Sequence, residues 1–280
     1  MINLGKTRLL GHRGARSEAF ENTLFGFQHA HSLQPRGLAG VEFDVQLTSD
    51  GHLIIFHDDT LQRLCGLQAR VDQLSLTEIQ RHLQSGHHII TLDMLSQTLP
   101  LPMQLLSQTS QKQALDSLFG LSNHTVSKTR GLETTAQALA QFTHIELEIK
   151  THDRTNYSKL IRALTYYLID TPLASLPIVL TSFDVQLLAR LQRDTLLSHI
   201  PRGLLVRTPQ LLSAAPNTAL QLGCTHLGVY HPLLTQSMIQ YCHRYGLPVS
   251  AWTVNDIEQI KQLVQWQVDV IITDIPTQLL

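Results

Sequence analysis

Short runs of β-branched and apolar residues alternate with stretches of helical periodicity along most of this 280-residue chain, and no other feature constrains its fold as strongly. Such alternation is the pattern of parallel βα units, because a hairpin-built sandwich has no helices between its strands. The runs are RLLGH (8–12), GVEFDVQL (40–47), LIIFH (53–57), HIELEIK (144–150), PIVLTSF (177–183), RGLLV (202–206), HLGVY (226–230), PVSAWTV (248–254) and VDVIITD (268–274). That makes nine, and a closed (β/α) barrel uses eight. Asp50-Gly51, between the second and third runs, reads as a hairpin turn, so LIIFH is the expected extra strand.

Helical patterns fill most gaps, at 22–33, 134–142, 184–193, 234–246 and 255–267. Gly246 followed by Pro248 closes one of them, and Asn255 before Asp256 and Glu258 reads as the N-cap of the last. The rhythm breaks between residues 58 and 131, around a Gln/Ser-rich, proline-flanked middle at 99–113. The expected fold is therefore α/β, a (β/α)8 TIM barrel forming one domain over 1–280, with an inserted segment at about 58–131 over the carboxyl-end mouth.

Composition narrows the partners. A formal net charge of −1 gives no basic stripe for nucleic acid. Cys65, Cys224 and Cys242 lie far apart without CxxC spacing, which suggests neither a disulfide framework nor a zinc ribbon and fits a reducing compartment. The opening MINLGKTRLLGHRG reaches charged residues too early for a signal-peptide core, and no apolar run approaches a membrane span. The expectations are a cytoplasmic protein, a small-molecule substrate and no stable membrane association.

Chemistry is concentrated at the strand ends. Glu42 and Asp44 are two apart in one strand and share a face, while Val41, Phe43 and Val45 share the other. In HIELEIK, Glu146, Glu148 and Lys150 alternate in the same way. Acids converging inside a barrel with one lysine suit a hard divalent cation and a phosphate better than mutual salt bridges. His12, in GHRG, and His57, in IIFHD, fall at the carboxyl rim, where imidazoles serve proton transfer. Arg13 offers a planar fork to a phosphate. His29 and His31 form an HxH, but on a helix they diverge. His87-His88 is a loop pair, and serine elbows, Walker loops and dinucleotide fingerprints are absent from the sequence.

Taken in order from residue 10 to residue 276, these segments resemble the glycerophosphodiester phosphodiesterase family. GHRGARSEAFENT is similar to its opening HRG and PENT-like tetrad, VEFDVQLTSDGHLIIFHDDTLQR to its metal and second-histidine segment, and IELEIK to its third-acid strand; LTSFD, WTVND and IITDIP resemble later strand ends. The resemblance implies that Glu42, Asp44 and Glu148 ligate one divalent metal ion, Mg²⁺ or Ca²⁺. His12 and His57 would be general acid and base, and Arg13 and Lys150 would hold phosphate oxygens. Trp252 would line the pocket for glycerol or the leaving alcohol. It further implies Asn22 as a helix cap and Glu21 as a neighbour of the metal site. The chain departs from the pattern at Phe20, in place of proline, at Glu146, where a neutral amide is common, and at Gln267, where glycine is usual and where the change touches packing. Two alternatives to glycerophosphodiester hydrolysis are a lysophospholipid-directed phospholipase D, with residues 99–106 as its apolar patch, and a non-enzymatic binding barrel.

Overall fold

The structure is a computed structural model that describes residues 2–83, 89–97 and 135–280. It contains strands β1 (Arg8–His12), β2 (Gly40–Leu47), β3 (Leu53–Ile55), β4 (Ile90–Thr91), β5 (His144–Ile149), β6 (Ile178–Ser182), β7 (Arg202–Val206), β8 (His226–Tyr230), β9 (Val249–Trp252) and β10 (Val270–Thr273). Eight of them run parallel in the order β1-β10-β9-β8-β7-β6-β5-β2, and the pairing of β1 with β2 closes the ring. Closure sets the register on which the site depends. His12 lies beside Glu42, Glu42 beside Glu146, and Asp44 beside Glu148.

LIIFH is the extra strand, as its turn signal predicts. β3 pairs antiparallel with the overhanging end of β2, Val45 opposite Ile55 and Leu47 opposite Leu53. A further strand, β4, pairs antiparallel with β3. Two residues are too few to show alternation in the sequence, which is why this strand is not legible there.

The outward alternates of β2 and β5, among them Val41, Phe43, Ile145 and Leu147, are buried in one large apolar cluster with helix residues such as Leu160, Leu188 and Leu263. At about 25 cal/mol per Å² of apolar surface this burial is the main favourable term in folding. Leu53 and Ile55 still face that main cluster, whereas Ile54, Phe56, Leu61, Val71 and Ile79 gather with Ile89 in a second one. In this region Ser75 and Glu78 form a capping box on helix Leu76–His82. The described start of the inserted segment therefore has a small core of its own; residues 98–131, including the 99–106 patch, lie outside the described residues.

Two helix caps differ from the sequence expectation. Helix Ile257–Gln265 is capped by Asp256, whose Oδ1 accepts from the Gln259 N–H at 2.9 Å, not by Asn255. The first helix, Leu24–Ser32, is capped by Thr23, whose hydroxyl oxygen accepts from the Gly26 N–H at 3.1 Å, not by Asn22. In both cases two good capping residues stand side by side, and the other one turns inward to the site. Gln267 takes a φ of 64°, the left-handed region, so its departure from glycine is a matter of backbone strain of about 1 kcal/mol.

Candidate active site

Three carboxylates meet at the carboxyl rim. Glu42 and Asp44 reach it from β2 and Glu148 from β5, and each offers an oxygen within 4.8 Å of the others. Glu42 is 6% exposed and Asp44 1%. Lys150, just past β5, is 3.0 Å from Asp44 and 2.5 Å from Glu148. The Arg13 guanidinium is 3.3 Å from Asp44, and its backbone N–H donates to Glu42 at 3.3 Å.

Three acids against two cations leave a surplus of negative charge in a dry site. Burial, with Asp44 and Glu148 alongside, pushes the Glu42 carboxyl well above the usual carboxylate range. Burial also lifts Glu148, against the pull of Lys150, and Asp44 adds to the rise. For Asp44 burial acts the same way, but Lys150 and then Arg13 outweigh it and hold that carboxyl well below the range. The two cations thus leave the three carboxylates incompletely neutralised. Its donors are all oxygens, and the amide oxygen of buried Asn22, whose Nδ2 donates to Asp44 at 3.1 Å, has no partner. That donor set fits a hard divalent cation of the Mg²⁺ or Ca²⁺ kind.

Each histidine is held by a carboxylate. His12 donates from Nδ1 to Asp274 at 2.6 Å, and its Nε2 lies 3.7 Å from Glu42. Burial holds the His12 imidazole below its ordinary range, even against the bond to Asp274. Asp274 in turn accepts from Asn255 Nδ2 at 2.7 Å, and the Arg16 guanidinium lies 3.6 Å from it. On the other flank His57 Nδ1 bonds Asp58 at 2.6 Å. Gln46 steadies that turn by donating to the carbonyls of Phe56 at 2.9 Å and Asp58 at 2.7 Å. Asp274, Asp58 and Gln46 carry no role in the sequence reading, and Asn255 only that of a helix cap. The signal for Asp274 is barrel closure, which sets β10 next to β1.

Glu146 shares the inward face of β5 but lies one residue pair deeper. It accepts from the Ser250 hydroxyl at 2.5 Å and faces His144 at 3.3 Å, and these partners keep its carboxyl below the usual range despite burial. It stands outside the three-carboxylate group. Trp252 is half-buried, 5.6 Å from both Phe183 and Tyr230 ring centroids, and borders a small pit with His12, Glu42 and Glu146. A larger cleft of about 400 Å³ is lined by His57, Glu148, Lys150, Phe183 and Arg207, the last stacked on Phe183 at 4.9 Å. Of the eight sequence-predicted site residues, His12, Glu42, Glu148 and Trp252 line the pit, His57, Glu148 and Lys150 line the cleft, and Arg13 and Asp44 lie buried beside them. The HxH pair does not join it, since His29 bonds Glu18 and His31 bonds Gln141; His87 and His88 lie outside the described residues.

The glycerophosphoryl diester phosphodiesterase family profile matches residues 12–278. A glycerophosphodiester phosphodiesterase of Caldanaerobacter subterraneus is 25% identical over 275 residues, covering 98% of this chain and 97% of its own. The crystal structure of a protein described as a glycerophosphoryl diester phosphodiesterase from Silicibacter pomeroyi superposes with a TM-score of 0.72 at 22% identity, over 98% of this chain and 91% of that one. An Oleispira antarctica phosphodiesterase, solved with the product sn-glycerol-3-phosphate, gives 0.69 at 22% identity over 97% and 94%. Family, barrel and rim agree, and this chain belongs to the glycerophosphoryl diester phosphodiesterase family as an enzyme of that class.

Proposed function

We propose that the enzyme hydrolyses glycerophosphodiesters such as glycerophosphocholine and glycerophosphoethanolamine to glycerol 3-phosphate and the free alcohol, with His12 and His57 as its proton-transfer pair. The observation that carries this reading is the convergence of three carboxylates within 4.8 Å, two cations and two carboxylate-bonded imidazoles at one rim. Arg13 and Lys150 bind the phosphate oxygens and orient the diester. One imidazole takes the proton of the nucleophile as its oxygen bonds phosphorus, and the other gives a proton to the alcohol oxygen as the P–O bond breaks. The divalent cation held by Glu42, Asp44 and Glu148, Mg²⁺ or Ca²⁺, would neutralise charge that grows on the phosphate. Asp274 and Asp58 fix the ring orientations of the two histidines. Trp252 and Phe183 offer apolar walls to the glycerol or the departing alcohol.

The whole chain works as one barrel domain in this reading, on a small-molecule substrate. Among the described residues no helix is long and apolar enough to cross a membrane. The test is release of glycerol 3-phosphate from glycerophosphocholine and glycerophosphoethanolamine with Mg²⁺, Ca²⁺ or EDTA, run beside Glu42→Ala. Metal-dependent release that disappears in the variant is the expected outcome. No release from any water-soluble diester would overturn the reading and turn attention to lysophospholipids.

A further inference from the structure

We propose that Arg63, at the start of the inserted segment, is a positioning residue that ties the two sides of the active site together. This rests on the roles given above to His57 and Arg13. Arg63 lies in the short helix Gln62–Cys65, and its guanidinium forks onto two carboxylates at once. Toward Asp58, Nε donates to Oδ2 at 2.6 Å and Nη2 to Oδ1 at 3.1 Å. Toward Glu21, Nη1 donates to Oε2 at 2.8 Å and Nη2 to Oε1 at 2.7 Å. Each carboxylate spends another contact on a functional group. Asp58 Oδ1 bonds His57 Nδ1 at 2.6 Å, and Glu21 Oε1 accepts from Arg13 Nη1 at 2.8 Å.

The result is an unbroken line of charge-assisted bonds, His57–Asp58–Arg63–Glu21–Arg13, that joins a proton-transfer group to a phosphate-binding group. Only a planar guanidinium can give each of two carboxylates a pair of bonds; an ammonium can bridge two carboxylates, as Lys150 does, but is a point donor without a fork. Holding the chain in place does not require the side chain. Leu61 is fully buried in the second apolar cluster, and its N–H bonds the Ala69 carbonyl while its carbonyl accepts from Cys65. Arg63 itself is 43% exposed and is not among the residues of that apolar cluster. Orientation is what remains for it to supply.

The same segment contains a matched control. Arg70 pairs with Asp72 at 2.7 Å and lies 3.9 Å from Asp59, and it touches neither histidine nor Arg13. Arg63→Ala, Arg63→Lys and Arg70→Ala should be compared with the parent protein for kcat, KM and melting temperature. A further readout is the Nδ1–H proton resonance of His57, assigned by its loss in His57→Gln. Displacing a reacting group by about 1 Å costs roughly 100-fold, so Arg63→Ala should lower kcat by about 100-fold. Added guanidinium ion should restore activity to Arg63→Ala, Arg63→Lys should recover little, and Arg70→Ala should stay within about twofold of the parent. The His57 resonance should persist in Arg70→Ala and vanish in Arg63→Ala. The inference is overturned if the resonance survives in Arg63→Ala, if Arg70→Ala loses as much activity, or if guanidinium repairs nothing. A parent protein inactive on every diester would instead defeat the proposed function, and the resonance would still decide the positioning role.

Discussion

The two histidines use one device built in two ways. His12 is fixed by the barrel itself, because its partner Asp274 follows β10, 262 residues away in sequence, and Asn255 behind it follows β9. His57 is fixed by local chain, through its neighbour Asp58 and then Arg63, five residues further on. The first arrangement is buried and inseparable from closure of the ring. The second is half-exposed and belongs to the inserted segment, so its geometry can change without disturbing the ring.

The largest effects should come from removing the imidazoles. His12→Ala and His57→Ala are each expected to lower kcat by about 1,000-fold or more, with metal affinity by calorimetry nearly unchanged. A variant that keeps a near-normal rate would take its histidine out of the mechanism and end the comparison. The partners then separate the two arrangements. Asp274→Asn and Asp58→Asn should each cost about 100-fold in kcat by loosening a ring. Only the first should also lower stability, by about 2 kcal/mol, since it disturbs hydrogen bonds in a buried network. Equal melting temperatures for the two variants would show that the barrel-built side is no more integral to the fold than the local one. The smallest effect lies far from both. Gln267→Gly relieves a left-handed residue and should raise stability by about 1 kcal/mol or less in denaturant titration, because glycine also makes the unfolded chain freer.

Residues that announce themselves by spacing were legible in the sequence. Glu42 with Asp44, and Glu148 with Lys150, show a period of two within strands, and a strand has only two faces to offer. His12 and His57 were legible as strand-end residues. Asp274 and Asn255 were not, because their meeting with His12 comes from the pairing of the last strand with the first, which leaves no local signature. Arg63 was hidden for a different reason, as a single arginine in a four-residue helix shows no period at all. Asn22 shows where local rules mislead. It looks like a cap, but with a φ of 54° its backbone turns the amide toward Asp44 and leaves capping to Thr23.

β2 makes two kinds of pairing along one length of chain, parallel in the ring and antiparallel beyond it. Its bonds to β5 end at Val45, the residue at which its pairing with β3 begins. Strands β3 and β4 are therefore mounted on an overhang, and neither takes part in the eight pairings of the ring. This seam separates two kinds of pairing: the ring needs its eight parallel strands in order, whereas β3 and β4 hang from β2 alone. His57 follows β3, so one half of the proposed acid–base pair is supplied from outside the ring.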